Sequence, residues 1–340
     1  MDITEILKLC VSKNASDLHI AARKPVMVRI DGLLLPLEGI MPFDSQAIFK
    51  LITPLLSDKA ISTLKMQLEY DDSITLENIG RFRLHLYYQL DGLSCAFRII
   101  PEKIPTLDEL QVPKVIRQLL EKTSGLILVT GATGSGKSTT LAAMINWLNQ
   151  NHQGHIITIE DPIEFIHKPN NCLINQRQVK VHTENFSCAL KASLRQDPDY
   201  ILIGELRDLE SIRLALTAAE TGHLVLATMH THSAAKTIDR LIHVFDSSEQ
   251  AMIRMMLSES LEAVIAQKLV KQVTSGLVAA FEVLVATHAI KNLIRENKIP
   301  QMYSAMQMGR QDGMQTMQQS LDALYKAGSI SEIKFNRSYM

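Results

Sequence analysis

Residues 131–139 constrain this chain more than any other stretch. Gly131, Ala132, Thr133, Gly134, Ser135, Gly136, Lys137, Ser138 and Thr139 lie between an apolar run, 125–130, that reads as a strand and a helix-forming stretch over 141–148. Strand, glycine-rich loop and helix start in that order form a P-loop. The glycines let successive backbone N–H groups turn inward around phosphate oxygens, and the N-terminus of the following helix adds about half a positive charge there. In this pattern Lys137 reaches the β- and γ-phosphates of a nucleotide, and the Ser138 hydroxyl ligates Mg²⁺. A glycine turn that merely joins two elements needs neither residue.

A chain of 340 residues, 46 % of them hydrophobic, has the length for about two domains and the apolar content for real cores. No uninterrupted apolar stretch approaches the ~18 residues that span a bilayer, and residues 1–5 carry no basic signal-peptide region, so a cytoplasmic protein is expected. A formal net charge of −1 argues against a surface built for polyanions, and nucleic acid is not an expected partner. Cys10, Cys95, Cys172 and Cys188 are dispersed, which suggests reduced, mostly buried thiols rather than zinc or disulfides.

Residues 1–100 read as a small mixed domain. The pattern predicts a helix over 4–11, a strand over 25–30 with a turn at Asp31 and Gly32, and a strand over 81–88 in which Phe82, Leu84, Leu86 and Tyr88 alternate with polar residues. Leu90, Asp91 and Gly92 turn that strand back into 95–100, a hairpin with Arg81, Arg83 and Arg98 on or near its exposed face. Pro101, Pro105 and Pro113 mark 101–113 as the linker. Residues 114–340 form the second domain. Strands over 125–130, 155–160, 200–204 and 223–228 interleave with helices over 136–150, 184–196, 208–221 and 234–242. This alternation predicts an α/β fold with right-handed crossovers and a mainly parallel sheet covered on both faces. Beyond Asp246 the tail reads as largely helical, with Met252, Met255 and Met256 as core or inter-helix packing.

The strand over 155–160 runs into Glu160, Asp161 and Glu164 around Pro162. Ligands bind at the C-terminal edge of an open α/β sheet, where one carboxylate can hold an attacking water and another a metal or its water shell. Capping the next element is the plainer role for such acids. Glu205 ends the strand over 200–204, where the metal-side acid of a P-loop site belongs, and Asp208 is placed to cap the next helix. His223 and His230 bracket the fourth strand, and the latter suits a γ-phosphate sensor. A metal at His230 and His232 is disfavoured, because no third ligand lies nearby and Mg²⁺ prefers oxygen.

Together, residues 131–139, 159–164 and 204–208 and the histidines from 223 to 230 resemble the four boxes of the hexameric secretion-superfamily ATPases. More narrowly, residues 16–19, 213–223 and 233–240 resemble the PilT type, the retraction motors of type IV pili in twitching motility, and the likeness covers nearly the entire chain. It implies a PAS-like N-terminal α+β domain, a RecA-like ATPase domain, a homohexamer, and ATP bound between the two domains. It also implies that Glu164 is the catalytic glutamate, that Glu205 belongs to the Walker B box, and that His223 and His230 form the histidine box. Arg81, Arg83 and Arg98 would act on phosphate from the N-terminal domain, since no arginine stands obviously beside the phosphate loop in the other. Such a motor works at the inner face of the inner membrane and passes its motion to a membrane platform protein.

Pilus-extension and secretion ATPases are the first alternatives; extension members usually carry a longer N-terminal region and a four-cysteine metal insert, which the dispersed cysteines and length of this sequence do not favour, whereas the retraction accessory paralogue is poorly separated from it. A RecA-like DNA motor needs a basic, aromatic-studded path, which 5 % aromatic residues and balanced charge do not favour. Residues 289–296 are similar to the retraction motif, with Lys291 in place of arginine, so any carboxylate contact there loses the planar fork. Ala132 stands where proline is usual in the loop, and His232 where a small polar residue is usual.

Overall fold

The structure is a computed structural model and describes residues 2–30, 32–101, 103–274 and 276–332; Asp31 of the expected turn lies outside the described residues. The chain forms two compact units. One joins Met1–Lys103 to the short segment Pro162–Ile166, and the other comprises Ile104–Asp161 and His167–Met340.

In the first unit, α1 (Ile3–Ser12) starts at a capping box. Asp2 accepts the amide of Glu5, and the Glu5 side chain accepts that of Asp2. Strands β1 (Asp17–Ala21), β2 (Met27–Ile30) and β3 (Leu33–Pro36), helices α2 (Ser45–Ile52) and α3 (Asp58–Gln67), and strands β4 (Glu69–Leu76), β5 (Gly80–Gln89) and β6 (Gly92–Ile100) follow. The sheet runs β3-β2-β1-β6-β5-β4, with antiparallel pairing throughout. Along β5 burial alternates residue by residue, so Phe82, Leu84 and Leu86 enter the core while Arg81 and Arg83 face away. Cys10 and Cys95 are buried in this core, which pushes their thiols up to about 11 and about 12.

The second unit contains α4 (Val115–Leu120), β7 (Gly125–Thr130), α5 (Lys137–Asn151), β8 (Gly154–Glu160), β9 (Cys172–Gln178), α6 (Phe186–Ser193), β10 (Tyr200–Ile203), α7 (Leu209–Glu220), β11 (Leu224–Met229) and α8 (Ala234–His243). After them come α9 (Gln250–Ser260), β12 (Leu261–Lys271), β13 (Leu277–Val285), α10 (His288–Arg295), α11 (Met302–Met308) and α12 (Met317–Lys326). The sheet order is β13-β12-β7-β11-β10-β8-β9, parallel except for the β12–β13 pair. Helices α4 and α5 pack on one face, and α6 to α11 on the other. The fold class read from the sequence, a P-loop α/β unit with a smaller α+β unit, is the one observed.

Two expectations need correction, and one strand carries no signal of its own. The tail beyond Asp246 is not largely helical, because β12 and β13 add two strands to the sheet beside β7. Residues 263–266 are buried without interruption, and an apolar run that is wet on neither face carries no period to tell strand from helix. Strand β9 went unread because it is a polar edge strand. Of the three methionines expected to pack at helical spacing, Met252 and Met255 are exposed and only Met256 packs on the core.

Candidate active site

The phosphate loop leaves β7 at Thr130 and re-enters regular structure at Lys137, the first residue of α5. Gly131 and Gly136 have φ of +148° and +89°, where a side chain is strained. A Cβ on Gly131 would also lie 2.4 Å from the Gln267 carbonyl oxygen, and one on Gly136 2.8 Å from Gln267 Nε2, so the loop passes β12 at backbone distance. Helix α5 begins without a side-chain cap, which leaves its first-turn amides and dipole end to a ligand. Lys137 Nζ donates to the carbonyls of Gly131 and Ala132, at 2.9 Å each. The Ser135 hydroxyl is buried without a hydrogen-bond partner, and Thr133, Gly134 and Ser138 are exposed; Thr139 is half-buried. Uncapped amides, an orphaned hydroxyl and an ammonium resting on its own loop's carbonyls fit a phosphate chain. Ser138 and Glu205 offer the oxygen donors that Mg²⁺ prefers.

Parallel strands bring further groups to the same sheet edge. Glu205 follows β10, and its Oε2 accepts both Nε and a terminal nitrogen of Arg207 at 2.8 Å. Its Oε1 is 3.4 Å from His230 Nε2, while His230 Nδ1 is 3.4 Å from Lys137 Nζ. One imidazole therefore bridges the loop lysine and the strand-end acid. The tautomer protonated on Nε2 satisfies both neighbours, accepting from the ammonium and donating to the carboxylate. Arg240 donates to the His230 carbonyl at 3.2 Å. The ATPase-fold unit thus does hold arginines near its phosphate loop, contrary to the sequence reading. Arg207 was hidden by its role as a neighbour of Glu205, and Arg240 lies a helix away in sequence.

The expected carboxylates are divided. Glu160, at the end of β8, accepts from Thr158 Oγ1 at 2.7 Å and from Gln176 Nε2 at 3.2 Å, in the same unit as the phosphate loop. Glu164 is half-buried and belongs to the segment that packs with the first unit. Asp208 caps α7 as expected. Burial opposes its ionisation, yet hydrogen bonds from Ser211 and Ser187 hold its carboxyl below the usual range.

His223 stands elsewhere. Strand β11 pairs Leu224 with Gly125 and Met229 with Thr130, so His223 lies at the sheet edge away from the phosphate loop, roughly 20 Å from His230 at ~3.3 Å per residue. Its Nδ1 lies 2.9 Å from the Ala218 carbonyl. The two histidines do not converge within one chain.

In the first unit Arg83 and Arg98 are cross-strand partners, a like-charge pair relieved by Asp71 at 4.0 Å and Asp17 at 2.9 Å. Burial would raise the Asp17 pKa, but the Ser16 hydroxyl and the Arg98 guanidinium bring it below the usual carboxylate value. Arg81 is fully engaged: it donates to the Ile163 carbonyl at 2.8 Å, Ser73 Oγ at 2.6 Å and Thr75 Oγ1 at 2.8 Å. Its guanidinium thereby ties down the segment that carries Glu164.

Sequence reading missed Gln267, which buttresses the loop. Its Oε1 accepts the Thr140 hydroxyl at 2.7 Å, and both residues are buried. The available signal was an amide placed inside an apolar run. On α10, Lys291 Nζ donates to the Glu259 carbonyl at 3.3 Å and sits 3.9 Å from a Glu262 carboxylate oxygen, a point-charge contact in place of a fork.

Residues 1–333 match the family described as type II/IV secretion system protein. The chain belongs to that family. Within it, the chain is 50 % identical over 331 residues to the type IV pilus retraction ATPase PilT of Pseudomonas aeruginosa, covering 97 % of this chain and 96 % of that protein. It is 47 % identical over 322 residues to a twitching motility protein of Neisseria gonorrhoeae, covering 94 % and 86 %. Among solved structures, that of the pilus retraction motor PilT with bound ADP superposes with a TM-score of 0.91 at 43 % identity, covering 98 % of this chain and 96 % of that one. The chain is a P-loop ATPase of this family's pilus-retraction type. Among the described residues no helix is long and apolar enough to cross a membrane.

Proposed function

We propose that this chain is the Mg²⁺-dependent, ATP-hydrolysing motor that retracts type IV pili, working as a homohexamer at the inner face of the inner membrane against a platform protein there. The observation that carries the reading is the unbroken run Lys137, His230, Glu205 and Arg207 at one sheet edge, with an uncapped helix start beside it.

Backbone amides from Gly131 to Thr139 hold the phosphates, and Lys137 exchanges its carbonyl partners for their oxygens. His230, between lysine and acid, registers whether that exchange has taken place. Ser138 and Glu205 would hold Mg²⁺. When bound, the ion neutralises charge on the β- and γ-oxygens. Glu164 orients the attacking water as the catalytic carboxylate. Arg81, Arg83 and Arg98 act from the first unit, Arg81 by fixing the Glu164 segment. His223 belongs to the histidine box but serves at the other sheet edge.

Two measurements test this. In a strain deleted for the gene, surface pili should accumulate while twitching is lost; absence of pili would point to extension instead. In vitro, Lys137→Ala should lose nucleotide binding and turnover, because phosphate charge is left uncompensated in a desolvated loop. Near-normal hydrolysis by that variant overturns the site assignment.

A further inference from the structure

Glu282 lies on β13 inside an apolar run and is 5 % exposed. A row across the sheet places it near the phosphate loop: Glu282 pairs with Ala266, Ala266 with Thr130, and Thr130 with Met229. Both carboxylate oxygens serve helix starts. Oε1 accepts the amide of Ala234, first residue of α8, at 2.7 Å, and Oε2 accepts that of Met317, first residue of α12, at 3.4 Å. No cation pairs with this carboxylate among the described residues, so two amides and two helix dipoles are what it gains in return for burial.

What α8 carries gives this arrangement a meaning. Residues 230–233 join β11 to α8, and His230 is the first of them. Glu282 pins the far end of that connection at Ala234. Its middle is held by a buried hydroxyl chain, with Thr231 Oγ1 at 2.6 Å from Thr237 Oγ1 and the latter at 3.5 Å from Thr130 Oγ1, directly before Gly131. The His230 connection, the start of α8 and the entry to the phosphate loop thus form one hydrogen-bonded assembly, anchored from β13 by a single carboxylate.

We propose that Glu282 is a positioning residue for ATP hydrolysis: by pinning the N-terminus of α8 it keeps His230 between Lys137 and Glu205. The inference rests on His230 reading the phosphates, as argued above. Nothing in it requires Glu282 to touch nucleotide, so nucleotide binding and turnover should separate. A residue that merely supports the core would lower the melting temperature without that split.

The experiment measures kcat and KM for Mg-ATP, with melting temperature as the folding control, on the full chain and five variants: Glu282→Ala, Glu282→Gln, Ala234→Pro, His230→Ala and the Glu282→Ala/His230→Ala double. Glu282→Ala should lower kcat about tenfold or more while KM stays within about twofold, the signature of a group that matters only in the transition state. Glu282→Gln should recover most of the rate, because its amide oxygen still accepts from Ala234. Ala234→Pro removes the N–H from the other side at a first-turn position that tolerates proline, and it should reproduce the kcat loss even if Glu282→Ala fails to fold. The double variant should be no slower than His230→Ala alone. Wild-type kcat in folded Glu282→Ala or in Ala234→Pro overturns the proposal, as does a Glu282 effect that multiplies with that of His230→Ala. Wild-type kcat in His230→Ala alone shows instead that the reading of His230 is wrong, and the route through it falls with that reading.

Discussion

Replacing Gln267 by leucine isolates how the phosphate loop is held. Thr140 Oγ1 donates to Gln267 Oε1 at 2.7 Å, and with 1 % and 5 % exposure neither residue has water to fall back on. Leucine keeps the volume but removes the acceptor, and an orphaned buried hydroxyl costs about 1–3 kcal/mol. At about 2 kcal/mol, and ~2–4 °C per kcal/mol for a domain of this size, the ATPase-fold unit should melt roughly 4–8 °C lower. Thr140→Val removes the donor and should cost a similar amount. The double variant leaves no orphan, so its loss should fall short of the sum by about 1–2 kcal/mol. The Gln267 backbone and amide also abut Gly131 and Gly136, so nucleotide Kd should rise in Gln267→Leu, by about tenfold for each ~1.4 kcal/mol of lost loop order. Calorimetric melts and titration with a fluorescent nucleotide on the four proteins decide the matter. Losses that add to within ~0.5 kcal/mol, together with unchanged nucleotide affinity, refute the reasoning.

Three further outcomes are expected. Gly136→Ala places a side chain at φ +89°, worth about 1–2 kcal/mol of strain, and nucleotide affinity by calorimetric titration should fall roughly tenfold; unaltered affinity would mean that the loop adjusts freely. Burial lowers the His167 pKa to about 4, against about 6.5 in the unfolded chain, so the unfolded state binds more protons between these values. Stability should then be complete above about pH 6.5 and fall by up to about 3 kcal/mol as the pH drops towards 4, a slope that His167→Phe should flatten in urea titrations. Alanine at Arg81 should reduce turnover and speed amide exchange over 162–166, because the Ile163 carbonyl loses its donor, whereas Arg83→Ala and Arg98→Ala should leave that exchange unchanged. Equal exchange in all three would deny Arg81 its anchoring role.

What could be read from the sequence was whatever is local. The strand 125–130, the loop and the helix after it are contiguous, and each carries its own signal in glycine spacing and apolar runs. The alternation along 81–88 likewise announced a half-buried strand, because one face of β5 is in the core and the other is not. Strands β12 and β13 gave no such signal, since burial on both faces erases the period. Gln267 and Glu282 acquire meaning only when β12 and β13 are laid beside β7, a pairing that depends on contacts more than a hundred residues apart. His223 and His230 looked like a pair because they bracket one strand, and a strand keeps its two ends apart.

The backbone passes between the two units three times, at 103/104, 161/162 and 166/167. A single nick by a protease at 103/104 parts residues 1–103 from the rest of the backbone yet leaves 162–166 joined to the second unit, so cutting the chain there does not yield a finished first unit. That fragment lacks the Ile163 carbonyl to which Arg81 is bonded, so the guanidinium keeps Ser73 and Thr75 but loses its tie to residues 162–166. Unlike beads on a string, the first unit is assembled from two separate stretches of the sequence. Exchange of the N-terminal piece between relatives therefore has to bring residues 162–166 along with it.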